Sequence, residues 1–219
     1  MRHLRPAAAL LIWCCGVVIG DAAARVAPLE IGAATADGIL SWEVERFVGE
    51  TRYTLDRDAS RPAIRAESDG TASALLREID VDLSRRPVLE WSWKVGNLLQ
   101  GVDETTKAGD DYPARVYVLF RTGLFDPRPN SISYVWSSTR PAGTHWPNAF
   151  TGRVRMVAVR DAGDPVGTWV EERRNVREDI RKFFGEEVNS VKAVAIMTDT
   201  DNSGQQATAW YGDIRFVAE

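Results

Sequence analysis

The fold is decided by the stretch Leu89-Glu90-Trp91-Ser92-Trp93-Lys94-Val95, in which apolar and polar residues alternate. A period of two places the apolar side chains on one face of a strand and the polar ones on the other. The same alternation marks 114–120 and 132–136. Further strand-like runs, separated by turn residues, lie at 51–56, 63–68, 73–79, 154–159, 191–198 and 208–216, and the charged run 171–174 is typical of a solvated strand face. Many short strands of this kind predict an all-β fold, an antiparallel β-sandwich of two packed sheets.

One segment departs from this period. Its apolar residues recur at helical spacing, at Val176, Ile180, Phe183 and Phe184. Asn175 and Glu178 form a capping pair before it, and Gly185 is a natural stop after it. The sequence therefore predicts one short helix near 176–184 that plugs an end or edge of the sandwich.

The N-terminus has the layout of a secretory signal. Arg2 and Arg5 precede an apolar run over residues 7–20, and Ala22-Ala23-Ala24 follows it. We expect residues 1–24 to be a signal peptide and residues 25–219 to form a single domain in the periplasm or outside the cell. An uncleaved anchor is the alternative; after cleavage we expect no membrane insertion.

Cleavage after Ala24 narrows the possible chemistry. It removes Cys14 and Cys15 and leaves His145 as the only imidazole, which excludes disulfides, thiolate nucleophiles and multi-histidine metal sites. Residues 1–24 carry a net charge of +1, so the formal charge changes from −4 to −5. That mild acidity argues against nucleic acid or an anionic membrane as a partner. The sequence does not indicate an oligomeric state.

Tryptophan is abundant in the predicted domain. Seven of the eight tryptophans lie after residue 24. Most are expected to fill the core. A second hypothesis is that two or three of them form a platform for a flat ligand such as a sugar ring, and Trp136 and Trp146 are the candidates.

The densest polar cluster lies where a long irregular stretch, 96–113, enters a predicted strand. Arg115 and Tyr117 share one face of that strand, while Val116 faces the core. A guanidinium beside carboxylates can fix sugar hydroxyls through paired hydrogen bonds. The alternative is a structural salt bridge that pins the loop to the strand. The predicted ligand-binding residues are Asp110, Asp111, Arg115, Tyr117, Trp136 and Trp146.

A possible calcium loop lies further along the chain. Asp199, Asp201, Ser203 and Gly204 match the first half of a D-x-D-x-S-G calcium motif. Trp210 stands where the bidentate glutamate would be, so the motif is incomplete. Calcium bound by Asp199, Asp201 and Ser203 is one interpretation, and an Asx-rich hairpin turn that needs no ion is the other. Calcium is the one cofactor that the sequence suggests.

No catalytic residue is assigned from sequence. His145 lies in a proline-bounded loop without a nearby partner to orient it as a general base. The chain contains no nucleophile elbow, P-loop or dinucleotide fingerprint.

Several segments together carry a family resemblance. They are 89–95, Gly109-Asp110-Asp111-Tyr112, Arg115-Val116-Tyr117-Val118, Tyr134-Val135-Trp136, Arg174-Asn175-Val176 and 196–202. On these motifs the chain resembles the exported bacterial proteins of domain-of-unknown-function family 3047 over residues 38 to 217. The resemblance implies export and a small single domain, and it brings no established activity.

A looser resemblance concerns the fold. The chain is similar to galactose-binding-like jelly-roll modules of carbohydrate-active proteins in the order of three features. These are Trp42-Glu43, a turn from Asp82-Leu83 to Pro87, and a closing aromatic strand over 210–216. One fold hosts many functions, so this is analogy only.

These observations predict an exported, non-catalytic module that binds a carbohydrate or a similar polyhydroxylated ligand. One alternative is a polysaccharide hydrolase or lyase that uses Asp110 or Asp111 as its carboxylate and Tyr117 or His145 as proton carrier. Another is a structural envelope protein that recognises a second protein through an exposed sheet edge.

Overall fold

The computed structural model describes residues 26–58, 61–122 and 128–219. The predicted signal peptide, 1–24, lies outside these residues. The helix α1 spans Val176–Phe184. The strands, numbered β1 to β13 in chain order, are Leu29–Gly32, Glu43–Val48, Arg52–Asp58, Arg61–Asp69, Ala72–Asp82, Val88–Val95, Tyr112–Phe120, Asn130–Trp136, His145–Pro147, Val154–Arg160, Val170–Asn175, Ser190–Asp199 and Gln206–Val217.

The strands form two sheets that pack face to face. The six-stranded sheet has the order β11-β6-β13-β4-β3, with β1 also paired to β13. The seven-stranded sheet has the order β2-β5-β12-β7-β8-β10-β9. The predicted all-β sandwich is confirmed. One pair departs from the antiparallel rule: β10 inserts between β8 and β9 and runs parallel to β8, because the chain first forms the edge strand β9 and then turns back.

Aromatic rings fill the space between the sheets. Trp91 and Trp93 meet edge to face at 5.5 Å between ring centroids. Trp91 also stacks on Tyr134 at 5.3 Å, and Trp93 lies 6.0 Å from Trp136. The four rings are buried, as the alternation in residues 89–95 and 132–136 requires.

The helix begins and ends where its capping residues predict. The Asn175 side chain accepts a hydrogen bond from the Glu178 amide, and Gly185 adopts the left-handed conformation with φ 71°. Ile180, on the inner side of the helix, is buried. Phe184 packs edge to face on Phe120, with 5.1 Å between the ring centroids. The helix thus closes one end of the core.

Three strands were not predicted, namely β1, β2 and β9. Each is short or lies at a sheet edge, and most of β2 is exposed. Edge strands with little buried surface lack the apolar alternation on which the prediction depends. In the described part of the chain, no helix combines the length and apolar character needed to cross a bilayer.

Candidate functional site: a groove on the seven-stranded sheet

The outer face of the seven-stranded sheet carries small apolar side chains where polar ones are usual. Ala72 and Ala74 of β5 lie beside Ala195 and Met197 of β12, and these four are buried together. Tyr117 of β7 packs against them. The outer faces of antiparallel sandwiches are normally solvated and polar. An apolar outer face therefore needs a separate explanation.

These small side chains form the floor of an open groove of about 480 Å³. Phe47, at the end of β2, stands on one side and is 66% exposed. Phe150, between β9 and β10, stands on the other side and is 55% exposed. Alanine on β5 and β12 leaves space between these larger rim residues, so the groove follows directly from side-chain size.

One end of the groove is built on Arg115, whose side chain is only 3% exposed. Its Nε donates to Asp199 Oδ1 at 2.7 Å, and a second guanidinium nitrogen contacts the other oxygen of Asp199. That second nitrogen, Nη2, also donates to the Asp110 carbonyl at 2.7 Å, and Nη1 donates to Tyr117 Oη at 2.9 Å. The guanidinium also lies over the Tyr112 ring, with its Cζ 4.4 Å from the ring centroid. Every nitrogen of Arg115 is thus engaged.

Acidic groups outnumber this single cation. Asp110, Asp199 and Asp201 all line the groove with Arg115. Asp110 Oδ2 accepts from Asn148 Nδ2 at 2.6 Å, whereas its buried Oδ1 has no donor among the described residues. Burial, and next the charge of the neighbouring Asp111, raise the pKa of the Asp201 carboxyl. We call Asp110, Asp111, Arg115, Asp199 and Asp201 the charged cluster.

Asp111 is buried behind the groove and holds a turn. Its carboxylate accepts from the Asn202 amide at 3.2 Å, from Asn202 Nδ2 at 3.0 Å and from the Ser203 amide at 2.6 Å. Asp111 thus stabilises the Asx-rich turn at 201–204 by accepting hydrogen bonds from two of its residues.

The predicted calcium ligands are only partly brought together. Carboxylate oxygens of Asp111, Asp199 and Asp201 lie within 4.8 Å of one another, a spacing that a cation can bridge. Asp111, absent from the predicted set, joins it. Ser203 instead meets Asp111 through its amide, and its hydroxyl accepts from the Gln205 amide at 3.4 Å. Arg115 engages both oxygens of Asp199, so a cation would have to share that ligand.

The two tryptophans predicted for ligand stacking are buried elsewhere, which corrects that part of the site. Trp136 lies opposite Ala114 in the β7–β8 register, a core position, and packs on Trp93. β8 is the neighbour of β7, but Trp136 projects from the face of the sheet opposite to that of Arg115. Trp146 is 5% exposed and stacks on Tyr112 at 6.5 Å, outside the groove.

The long loop before β7 is anchored rather than open. Glu104 is fully buried and accepts from Ser137 Oγ at 2.5 Å and from the Ser138 amide at 2.6 Å. Its carbonyl accepts from Tyr112 Oη and Trp146 Nε1, both at 3.1 Å. Burial raises the pKa of the Glu104 carboxyl. The loop therefore presents Asp110 to the groove from a fixed backbone.

His145 lies away from the charged cluster. It sits on β9 opposite Val157, a core residue, whereas the groove opens on the outer face. Its ring packs on the Phe183 ring of α1, with 4.7 Å between the centroids. Burial, followed by the charges of Arg155 and Lys182, lowers its pKa. Of the two proton carriers named in the enzyme alternative, Tyr117 therefore lies at the groove with Asp110, whereas His145 does not.

The floor and the rim were missed by sequence reasoning, although a signal for the floor exists. Residues 193–197, Ala-Val-Ala-Ile-Met, are apolar at every position, where a strand with one solvated face would alternate. That run indicates that both faces of β12 are covered. Phe47 and Phe150 carry no comparable signal, because isolated exposed apolar residues are common.

The fold and the groove define a class: a small two-sheet β-sandwich with a ligand-sized groove on one outer face. The chain belongs to the family described as Protein of unknown function (DUF3047), whose family model matches residues 40–215.

Solved structures to which the chain is similar include the glycoside hydrolase domain of Endo-D (Spr0440) from Streptococcus pneumoniae R6. It shares 9% identity at a TM-score of 0.40, and the match covers 80% of this chain and 21% of that one. The chain thus spans about a fifth of that structure. The K2 cleaved adhesin domain of Lys-gingipain (Kgp) shares 10% identity at a TM-score of 0.37, and the match covers 80% of this chain and 90% of that one. No curated protein matches this chain.

Proposed function

We propose that this protein is an exported, non-catalytic binding module that holds a small ligand with an apolar body in the groove. The observation that carries the proposal is the open space of about 480 Å³ over an alanine and methionine floor, next to a buried charged cluster. That volume is within the usual range of ligand pockets, which are mostly apolar with a few convergent polar groups.

The polar end fixes the direction of the ligand. Asp110, Asp201 and Asn148 border the groove on the side of Arg115, whereas the floor offers only apolar contacts. A ligand with a hydrogen-bonding head and an apolar tail would satisfy both ends. Its tail would be covered on two sides by the rings of Phe47 and Phe150.

The direct test is titration with the neutral apolar dye N-phenyl-1-naphthylamine, whose fluorescence rises in apolar surroundings. We expect saturable binding to the purified protein. Ala195→Phe places a ring on the groove floor and should reduce the affinity at least tenfold. The matched control is Ala142→Phe in an exposed loop outside the groove, which should leave binding unchanged.

Thermal melts of both variants verify that each is folded. Equal dye affinity in the wild type and in a folded Ala195→Phe variant would place the dye elsewhere and refute the proposal.

Carbohydrate binding is the second candidate, supported by a different surface. On the outer side of the six-stranded sheet, Trp169 and Trp210 are half-exposed and flank Lys94. Trp169 Nε1 donates to Asp58 Oδ2 at 2.6 Å, and Trp210 Nε1 donates to Asp56 Oδ2 at 2.7 Å. Indoles beside fixed carboxylates are suited to a sugar ring and its hydroxyls.

A glycan-array screen with and without calcium tests this candidate and the enzyme alternative together. Binding that is lost in Trp169→Ala and Trp210→Ala supports the carbohydrate candidate, whereas product release supports a hydrolase or lyase. If no glycan is bound or cleaved, both the carbohydrate candidate and the enzyme alternative are refuted. Export is tested by N-terminal sequencing of protein recovered outside the cytoplasm, which should begin at Arg25.

A further inference from the structure

The lining of the groove has an unbalanced charge. Of the described side chains that line it, only Arg115 is positive, and both oxygens of Asp199 already neutralise it. Asp110 and Asp201 border the same end, and Glu45 lies on the rim. A ligand entering this end therefore meets excess negative charge, which is weakly screened because the cluster is largely buried.

One acceptor in this end has unused hydrogen-bonding capacity. The Asp110 side chain is only 6% exposed, and its Oδ1 is buried with no donor in the described part of the chain. A buried carboxylate oxygen without a donor is costly to the folded state. Asp201 accepts a side-chain hydrogen bond from its neighbour Asn202, at 3.2 Å, and is partly open to the groove. An incoming group with several N–H bonds would bring donors to the end of the groove that both carboxylates line.

Resting on the proposed function, we infer that the groove takes an amphiphilic primary ammonium, with its alkyl or aryl tail on the alanine floor and its –NH₃⁺ group against Asp110 and Asp201. A primary ammonium carries three N–H donors, which a quaternary ammonium lacks. An anionic head would be repelled by the same carboxylates. A metal ion fits less well, since the oxygens of Asp111 and Asp199 already accept strong hydrogen bonds and an ion does not account for the apolar floor.

The test compares four eight-carbon compounds that differ only in the head: octylammonium, octyltrimethylammonium, octanol and octanoate. Each displaces N-phenyl-1-naphthylamine from the wild-type protein at neutral pH. We expect octylammonium to bind about tenfold tighter than octanol, because one charge-assisted hydrogen bond contributes at least that much. Octyltrimethylammonium should fall between them, and octanoate should bind most weakly.

Two isosteric variants locate the head. Asp201→Asn and Asp110→Asn should reduce the octylammonium affinity to near that of octanol, and should change the octanol affinity far less, because the octanol head carries no charge. Asp80→Asn, at a carboxylate that is 74% exposed and outside the groove, is the matched control and should change neither affinity. Because Asp201 is partly open, its variant remains informative if Asp110→Asn fails to fold.

Three outcomes overturn the inference. The first is equal affinity for octylammonium and octanol, and the second is a preference for octanoate. The third is loss of the preference for octylammonium when calcium is added at concentrations that do not change binding to Asp201→Asn, which would assign the cluster to a metal. Each leaves the proposed function standing, because octanol still binds. Failure of all four compounds and of the dye itself would refute the proposed function instead.

Discussion

At the scale of single residues, Arg115 holds the charged cluster together. Its guanidinium meets Asp199, Tyr117 and the Asp110 carbonyl at 3% exposure. Arg115→Ala removes the one cation of the charged cluster and leaves buried carboxylates unpaired. We expect a loss of about 3 kcal/mol or more in the free energy of unfolding, measured by chemical denaturation.

Tyr117→Phe is the matched control for Arg115→Ala, since it removes one hydrogen bond and leaves the charges paired. It should cost about 1 kcal/mol. If Arg115→Ala costs no more than Tyr117→Phe while ligand binding disappears, Arg115 serves the ligand rather than the fold.

Asp58 provides a pH-dependent prediction on the other sheet. The hydrogen bond from Lys94, with another from Trp169, holds the pKa of the Asp58 carboxyl below its ordinary value. A depressed folded-state pKa contributes stability that is complete above the unfolded-state pKa and is lost as the pH falls through the folded-state pKa. Asp58→Asn should therefore lower the free energy of unfolding at neutral pH, by an amount that shrinks below about pH 4.

Denaturation of Asp58→Asn and wild type across this pH range measures the difference. Asp80→Asn is the exposed control and should show little effect at any pH. A difference between Asp58→Asn and wild type that stays constant with pH would contradict the assigned ion pair.

At the scale of elements, the helix is the part most completely determined by its own sequence. Its spacing, its cap and its stop are all local signals, so α1 matches its predicted range. Gly185 has φ 71°, and a Cβ there would meet nothing within 4 Å. Gly185→Ala should therefore cost about 1 kcal/mol through backbone strain alone.

Gly152 offers a matched control for that strain. A Cβ at Gly152 also meets nothing within 4 Å, and its φ is not in the left-handed range. Gly152→Ala should be neutral or slightly stabilising, because it reduces the freedom of the unfolded chain. Equal effects of the two substitutions in thermal melts would show that the conformation of Gly185 is not what ends the helix.

The strands were predictable to the extent that one face is buried and the other is not. Residues 89–95 and 114–120 alternate cleanly, and their core faces follow. The edge strand β2 lacks this contrast because it is mostly exposed, and β12 lacks it in 193–197 because both faces are apolar. Period-two patterns give strand faces; they do not show which strands are neighbours across a sheet.

At the scale of the whole molecule, the site could be predicted only where residues are close in sequence. Arg115 and Tyr117 lie two apart on one strand, and Asp110 enters it directly, so their proximity followed from the chain. The groove floor joins β5 to β12, and their pairing depends on topology. Trp136 lies on β8, which does pair with β7, but it shares the apolar face of 132–136, and its register opposite Ala114 puts it in the core rather than beside Arg115.

Binding of a ligand on the floor of the groove can be tested through the two methionines of the described chain. Met197 forms part of the floor, whereas Met156 is buried against Tyr112 and Trp146 outside it. In protein labelled with ¹³C at the methionine methyls, titration with octylammonium should shift the Met197 resonance saturably and by more than that of Met156, whose sulfur meets the groove residue Asn148 at 3.8 Å. Shifts of Met156 alone, or no saturable shift of Met197 at concentrations that displace the dye, would contradict the account.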